Sequence, residues 1–350
     1  MSDGNWLICS VAFVGLAGLT AVLVWLVAIA AIPSIALIPI LGGLLLGIAV
    51  FYRQRRTQRK PTGSEIKPAH ESETPTLTSA HSQTNDIFKD RYRLLERLAS
   101  GRFGNTYVAE DITTKSKALW VIKHFVPQPD SDRDLATTQR LFKGEALMLE
   151  KLKTLDCIPK LLSYAEAEQE TWFIREYVVG HPLNEELIPG KPVSEPQLKA
   201  LLQGILEDLA AIQAFQVIHR DIKPSNIIRR KQDGRLILID FGAAKIWNPQ
   251  EELQPMMTVA IGTASYASYE QMSGQPVPSS DIYSAGAIGI QAITGLELSR
   301  VPLLPTGEYD WRRHGKLSPK LGEILDKMTR TRVNRRYQMA TDVLADLVQL

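Results

Sequence analysis

His219-Arg220-Asp221-Ile222-Lys223-Pro224-Ser225-Asn226 brings a carboxylate, an ammonium and a carboxamide together in one short stretch. Further on, Asp240-Phe241-Gly242 ends the apolar run Leu236-Ile237-Leu238-Ile239, which reads as a strand. Phosphoryl transfer asks a protein chiefly for positioning and charge neutralisation: cations, metal-holding oxygens and one carboxylate. Asp221 can accept the proton of an incoming hydroxyl and Lys223 can meet the moving phosphoryl group. Asn226 and Asp240 can hold a metal ion between them.

Upstream, Arg97-Leu98-Ala99-Ser100-Gly101-Arg102-Phe103-Gly104-Asn105-Thr106 lies between two strand-like segments, Tyr92–Leu98 and Thr106–Glu110. Glycine at Gly101 and Gly104 would let backbone N–H groups approach phosphates closely. A third strand, Leu119–His124, carries Lys123 in Trp120-Val121-Ile122-Lys123. A lysine aimed into a cleft needs a counter-charge. The amphipathic helix expected over Leu135–Leu152 offers Glu145, with Glu150 as the alternative about 140° off that face.

These motifs, in this order, resemble the eukaryotic-type Ser/Thr protein kinases, from the Gly-rich loop through the catalytic loop and the Asp-Phe-Gly. The resemblance covers Tyr92 to the C-terminus. The phosphate loop, in its Phe103-Gly104-Asn105-Thr106-Tyr107 form, is similar to that of membrane-tethered bacterial kinases, cyanobacterial ones in particular. It implies an α+β, bilobal fold, with a β-rich lobe over about 87–178 and a helical lobe over about 179–350. It further implies ATP and Mg²⁺ as cofactors, with Mn²⁺ as an alternative ion, and protein substrates. Lys223 favours Ser/Thr over Tyr.

Residue roles follow from the same resemblance. Asp221 is the base or the orienter of the substrate hydroxyl, with Lys223, Lys123 and Glu145 completing the catalytic set; Asn226 and Asp240 are the metal ligands. Leu98, Ala99, Gly101, Gly104, Thr106 and Lys123 line the ATP site, with Ala99 where the family has its first glycine. The strand Trp172–Tyr177 leads into the hinge, so the Glu176 carbonyl and the Val178 backbone would face the adenine edge. Arg175 stands where the family usually carries an uncharged side chain, and a charge there must find a partner or water. His219 is read as a packing residue of the loop.

The activation segment runs from Asp240 to Glu270. Thr258 is the expected phosphorylation site and Thr263, in Gly262-Thr263-Ala264-Ser265-Tyr266, a structural hydroxyl. Arg220 is then the cation for the phosphate. Ser268-Tyr269-Glu270 replaces Ala-Pro-Glu; Glu270 is expected to pair with Arg336, and Asp281 to anchor the catalytic loop or simply to cap a helix.

The first 86 residues are of a different kind. No charged side chain occurs from Trp6 to Tyr52. As one helix this stretch would be about 70 Å long, against a hydrocarbon core of about 30 Å. Pro33 and Pro39 supply a break, so two spans are expected, about 6–32 and 35–52. A signal peptide lacks its positive n-region here. Arg53, Arg55, Arg56, Arg59 and Lys60 follow at once and put the kinase domain on the cytoplasmic side. Pro61 to Asp86 is a polar linker.

Net charge is +2, which gives no reason to expect nucleic acid as a partner. Two cysteines, Cys9 and Cys157, lack metal-ligand spacing and fit a reducing compartment. A homodimer through the spans stays open. Two other functions compete with an active, membrane-anchored Ser/Thr kinase. One is a pseudokinase scaffold, suggested by Ala99, Arg175 and Tyr269. The other is a small-molecule kinase of related fold, against which Lys223 and the full activation segment count.

Overall fold

A computed structural model describes residues 86–101, 104–125, 132–167, 170–248 and 265–350, all within one unit spanning 79–350. The two expected spans, the basic stretch, most of the linker, Thr258 and Thr263 lie outside the described residues. Among the described residues no helix is long and apolar enough to cross a membrane.

Seven elements form the first lobe: β1 (Ile87–Phe88), β2 (Tyr92–Gly101), β3 (Gly104–Asp111), β4 (Leu119–Phe125), α1 (Asp132–Lys151), β5 (Leu161–Ala167) and β6 (Glu170–Glu176). The strands make one sheet in the order β1-β2-β3-β4-β6-β5, with antiparallel neighbours. Its alternation sorts side chains between two faces. Ile122 and Ile174 join Tyr92, Leu94 and Ala109 in a small cluster on one face. Phe125 and Phe173 face the other way, onto Phe142 and Leu149 of α1, in the main core.

The second lobe is helical. It contains α2 (Glu195–Ala214), α3 (Tyr269–Met272), α4 (Pro278–Thr294), α5 (Pro319–Met328) and α6 (Ala340–Val348). Short strands β7 (Gly180–Pro182), β8 (Val217–Ile218), β9 (Ile227–Arg230), β10 (Leu236–Leu238) and β11 (Lys245–Ile246) form sheets β10-β9-β7 and β11-β8. Helix α2 starts at a reciprocal cap, where the backbone N–H of Ser194 donates to Gln197 Oε1 at 2.9 Å. Helix α4 is buried almost all round and packs against α2 and α5, which makes it the spine of this lobe. The main core is continuous from Phe142 and Phe173 through Phe241 to Leu202 and Ile288.

One expectation needs correction. Asp281 was a candidate helix cap, but α4 begins at Pro278, three residues upstream. Proline's fixed φ suits a first helical position, so the start moves back and Asp281 falls inside the first turn.

Candidate active site

The catalytic stretch leaves β8 at Ile218 and reaches β9 through a 3-10 turn over Pro224–Asn226. Its shape is fixed from beneath by Asp281, wholly buried in α4. Asp281 Oδ2 accepts the His219 N–H at 2.7 Å and Oδ1 accepts the Arg220 N–H at 2.9 Å. Burial raises the Asp281 carboxyl above its usual range, and the two N–H donors oppose that. Gln271 of α3 donates its side-chain N–H to the Arg220 carbonyl. Arg220 itself stands at φ 68, a conformation that costs a non-glycine residue about 1–3 kcal/mol and persists only when held from several sides.

His219 is buried and packs on Phe241, with ring centroids 4.6 Å apart. Its Nε2 lies 3.1 Å from the Ile239 carbonyl, and its Nδ1 accepts the Asp221 N–H at 3.3 Å. One nitrogen donates and the other accepts, which assigns the neutral ring with its proton on Nε2. His219 thus ties the catalytic stretch to the strand entering Asp240.

Three polar side chains meet above that base. Lys223 Nζ lies 2.8 Å from Asp221 Oδ2. Asn226 Nδ2 donates to Asp221 Oδ2 at 2.8 Å and to the Asp221 carbonyl at 2.9 Å. With its amide nitrogen so engaged, Asn226 turns its Oδ1 the other way. That oxygen and the Asp240 carboxylate are hard donors of the kind Mg²⁺ prefers, so the residues fit the implied ion.

The opposite wall comes from the first lobe. Lys123 Nζ on β4 lies 2.7 Å from Glu145 Oε2 on α1 and 3.7 Å from Asp240 Oδ1. Burial pushes the Lys123 ammonium down, but Glu145 and Asp240 outweigh it and raise it; the Glu145 carboxyl is raised by burial, with Lys123 pulling against it. At 2.7 Å we read the pair as ionised. Burial likewise pushes the Asp240 carboxyl up, while Lys123, Arg175 and Lys223 hold it below the usual range. Gly242 leaves room beside this cluster: a Cβ there would stand 3.2 Å from Glu145 Oε2, a tight contact that would press on the carboxylate. Glu150, the alternative partner, is exposed and bonds Lys153 at 2.6 Å.

In the Gly-rich loop Ala99 pairs with Thr106 and Gly101 with Gly104, so β2 and β3 close tightly; bulges follow Leu94 and Arg97, and Leu98 is exposed. Gly104 has φ +97, and a Cβ would lie 2.4 Å from the His124 carbonyl of β4. Only glycine allows that approach. Glu176 ends β6, with its N–H donating to the Lys160 carbonyl at 2.8 Å, and Val178 is buried beyond it. Arg175 is also buried, on the cleft side of β6.

At the far end, Arg336 Nη1 lies 2.7 Å from Glu270 Oε1. Ser268 and Ser280 donate to the same oxygen at 2.5 and 2.7 Å. The position where the resemblance expects proline is Tyr269, 76% exposed. Ser268, Ser280 and Gln271 carry structural roles that sequence reading missed. Ser268 was visible in the altered motif, but its carboxylate partner depends on how α3 turns. Gln271 and Ser280 gave no local signal.

The protein kinase domain family matches residues 92–347 of the chain. Similar curated proteins include serine/threonine-protein kinase B of Synechocystis sp., 37% identical over 261 residues, covering 73% of this chain and 46% of that protein. Serine/threonine-protein kinase PknA of Nostoc sp. is 34% identical over 269 residues, covering 75% and 47%. Serine/threonine-protein kinase D of Synechocystis sp. is 36% identical over 262 residues, covering 72% and 50%. The chain spans about half the length of these curated relatives.

Proposed function

The chain belongs to the protein kinase domain family, and on that premise we propose that it transfers the γ-phosphate of ATP to Ser and Thr hydroxyls of proteins. One observation carries this reading: Lys123 paired with Glu145, Asp240 beside them, and Asp221 bonded to both Lys223 and Asn226. Each part that phosphoryl transfer asks of a protein is present.

In this reading Asp221 orients the substrate hydroxyl and takes its proton, its carboxylate already aligned by Asn226. Lys223 neutralises charge on the phosphoryl group as it moves. Lys123 holds the α- and β-phosphates, with Glu145 fixing its direction. Asn226 Oδ1 and the Asp240 carboxylate would hold Mg²⁺, which neutralises phosphate charge when bound. The Gly101–Gly104 turn covers the phosphates, and the Glu176 carbonyl and Val178 backbone meet the purine edge. Among the described residues, no backbone partner occupies the Val178 N–H or C=O.

The apolar stretch Trp6–Tyr52 and the basic cluster after it support a two-span anchor with the kinase domain facing the cytoplasm. Thr258 is the proposed autophosphorylation site and Arg220 the cation that would meet its phosphate.

The test uses the full chain in detergent or vesicles, with γ-labelled ATP, Mg²⁺ and a mixture of protein acceptors. The reading expects label on phosphoserine and phosphothreonine. ATP bound tightly without transfer would replace it with the scaffold reading.

A further inference from the structure

Arg175 is a buried cleft cation to which the reading above gives no step in the transfer, although its charge helps to hold the Asp240 carboxyl down. On β6 it stands opposite Val121, two residues along from the Lys123–Phe173 pair. Strand alternation therefore puts it on the Lys123 side of the sheet, away from Ile174 and the outer cluster. It is 8% exposed. Among the described residues its side chain makes one hydrogen bond, from Nη1 to the Glu176 carbonyl at 3.4 Å, longer than an ordinary N–H···O contact. Among the described residues no carboxylate oxygen lies within 4.0 Å of it. The anions on its side of the cleft are already taken: Glu145 lies 2.7 Å from Lys123, and Asp240 lies 3.7 Å from the same ammonium.

A guanidinium carries five N–H donors in a planar fork. Arg175 has no fully buried nitrogen without a partner, so the donors that the Glu176 carbonyl does not take face the open cleft and water. The cleft is thus built with a surplus of fixed donors beside the Glu176 carbonyl. Resting on the proposed function, this carbonyl meets the substituent at position 6 of the purine. An amino group there, as in ATP, is itself a donor; it competes with Arg175 for the carbonyl and offers the guanidinium only N7. An oxo group there is an acceptor; facing the Glu176 carbonyl it needs a donor between the two oxygens. Arg175 Nη1, already bonded to that carbonyl, supplies it, and O6 with N7 is the edge that arginine grips bidentately.

We infer that Arg175 is a specificity-determining residue for the nucleotide base, and that the cleft takes 6-oxopurine triphosphates, GTP and ITP, as phosphoryl donors alongside ATP. The bond broken and the bond formed are those of the ATP reaction: the γ-phosphoryl group leaves GDP or IDP and joins the acceptor oxygen. Only the leaving nucleotide differs.

ITP decides the matter most cleanly, because it differs from ATP only at positions 1 and 6. The full chain is assayed with γ-labelled ATP, GTP and ITP under one Mg²⁺ concentration, and kcat/KM is compared. Wild type is expected to use ITP and GTP within about tenfold of ATP. Arg175→Met should lower the ITP-to-ATP ratio about tenfold or more. Arg175→Lys should lower it too, because a point charge lacks the planar fork. A wild-type ratio below about 1 in 1,000, or a ratio unchanged within about twofold in folded variants, would overturn the inference.

Binding separates this inference from the proposed function. Displacement of a fluorescent ATP analogue by ATP, GTP and ITP reads base preference without any transfer. ITP binding as well as ATP in a chain that transfers nothing would sink the activity and keep Arg175's role. ATP transfer with ITP binding more than about 100-fold weaker would do the reverse. Wild type alone answers if neither variant folds.

Discussion

Replacing Arg336 by methionine should be among the most destabilising single changes outside the cleft. The Arg336 side chain is 0% exposed and its guanidinium serves three elements. It donates to Glu270 Oε1 at 2.7 Å, to the Ser279 carbonyl at 2.9 Å and, through Nε, to the Arg330 carbonyl at 3.0 Å. It also lies 5.0 Å from the centre of the Tyr283 ring. Its loss leaves the Glu270 carboxylate with two hydroxyl donors and no cation, and breaking such a pair costs about 3–5 kcal/mol. With the Arg330 carbonyl losing its 3.0 Å donor and the Ser279 carbonyl its second one, the upper part of that range, about 4–5 kcal/mol, is expected. Glu270→Gln should cost less, about 2–3 kcal/mol, because the guanidinium keeps both short carbonyl bonds. For a domain of this size the Arg336→Met loss corresponds to about 8–20 °C in Tm. Thermal melts by circular dichroism and urea titrations read both variants, and a double variant with Glu270→Leu should cost less than the two single changes summed. Burial pushes the Glu270 carboxyl up, but Arg336 and the two hydroxyls hold it below its ordinary value of 4.5. The pair's contribution is therefore present above that value and is lost as pH falls through the lowered one, so wild type and Arg336→Met converge in acid. A loss under about 1 kcal/mol for Arg336→Met, or a larger loss for Glu270→Gln, would refute the reasoning.

Asp208 makes the opposite pH prediction. Burial pushes its carboxyl up to about 8, Oδ2 has no hydrogen-bond partner among the described residues, and Arg235 is 3.8 Å away. A raised carboxylate stabilises below its ordinary value and loses that stability as pH rises through the folded one. Asp208→Asn should therefore gain on wild type in urea midpoint between pH 5 and pH 8. Gly104→Val forces a Cβ to within 2.4 Å of the His124 carbonyl at φ +97; it should lower stability by about 1–3 kcal/mol and weaken ATP binding, read by calorimetry. Removing residues 1–52 should release the chain from vesicles in a flotation assay and leave phosphoryl transfer intact. A truncated chain that is folded but inert would make the hairpin regulatory.

The parts of the fold legible in the sequence were those with strong local periodicity. Long amphipathic or buried runs such as α1, α2 and α4 announced themselves, and so did β2, β3, β4 and β6. Of the short strands, β10 was legible as an apolar run, whereas the two-residue β8 and β11 are too short to alternate and exist because a partner strand is brought to each. β5 was missed because Leu161-Leu162-Ser163-Tyr164-Ala165-Glu166-Ala167 mixes half-exposed polar and apolar residues at the sheet edge. In the site, Lys123, Glu145, Asp221, Asn226 and Asp240 could be named because their spacing is tied to the chemistry. Of the groups that hold them in place, Asp281 was expected from the resemblance as the anchor of the catalytic loop, and Gln271 was not. The Asp281 carboxylate reaches back 62 residues to the His219 N–H, and Gln271 reaches back 51 to the Arg220 carbonyl. Such long-range hydrogen bonds leave no periodic trace. Arg175 was visible as an oddity, but its meaning depends on which face of β6 it occupies and on the carbonyl beside it.

The central claim is that Asp221, aligned by Asn226 and Lys223, serves the transfer step itself rather than nucleotide binding. Single-turnover phosphoryl transfer by wild type and Asp221→Asn, with ATP affinity measured on the same samples, tests it directly. The account predicts a transfer rate lower by about 10²–10⁴-fold with ATP affinity little changed. Equal transfer rates in the two proteins, with both folded, would contradict it.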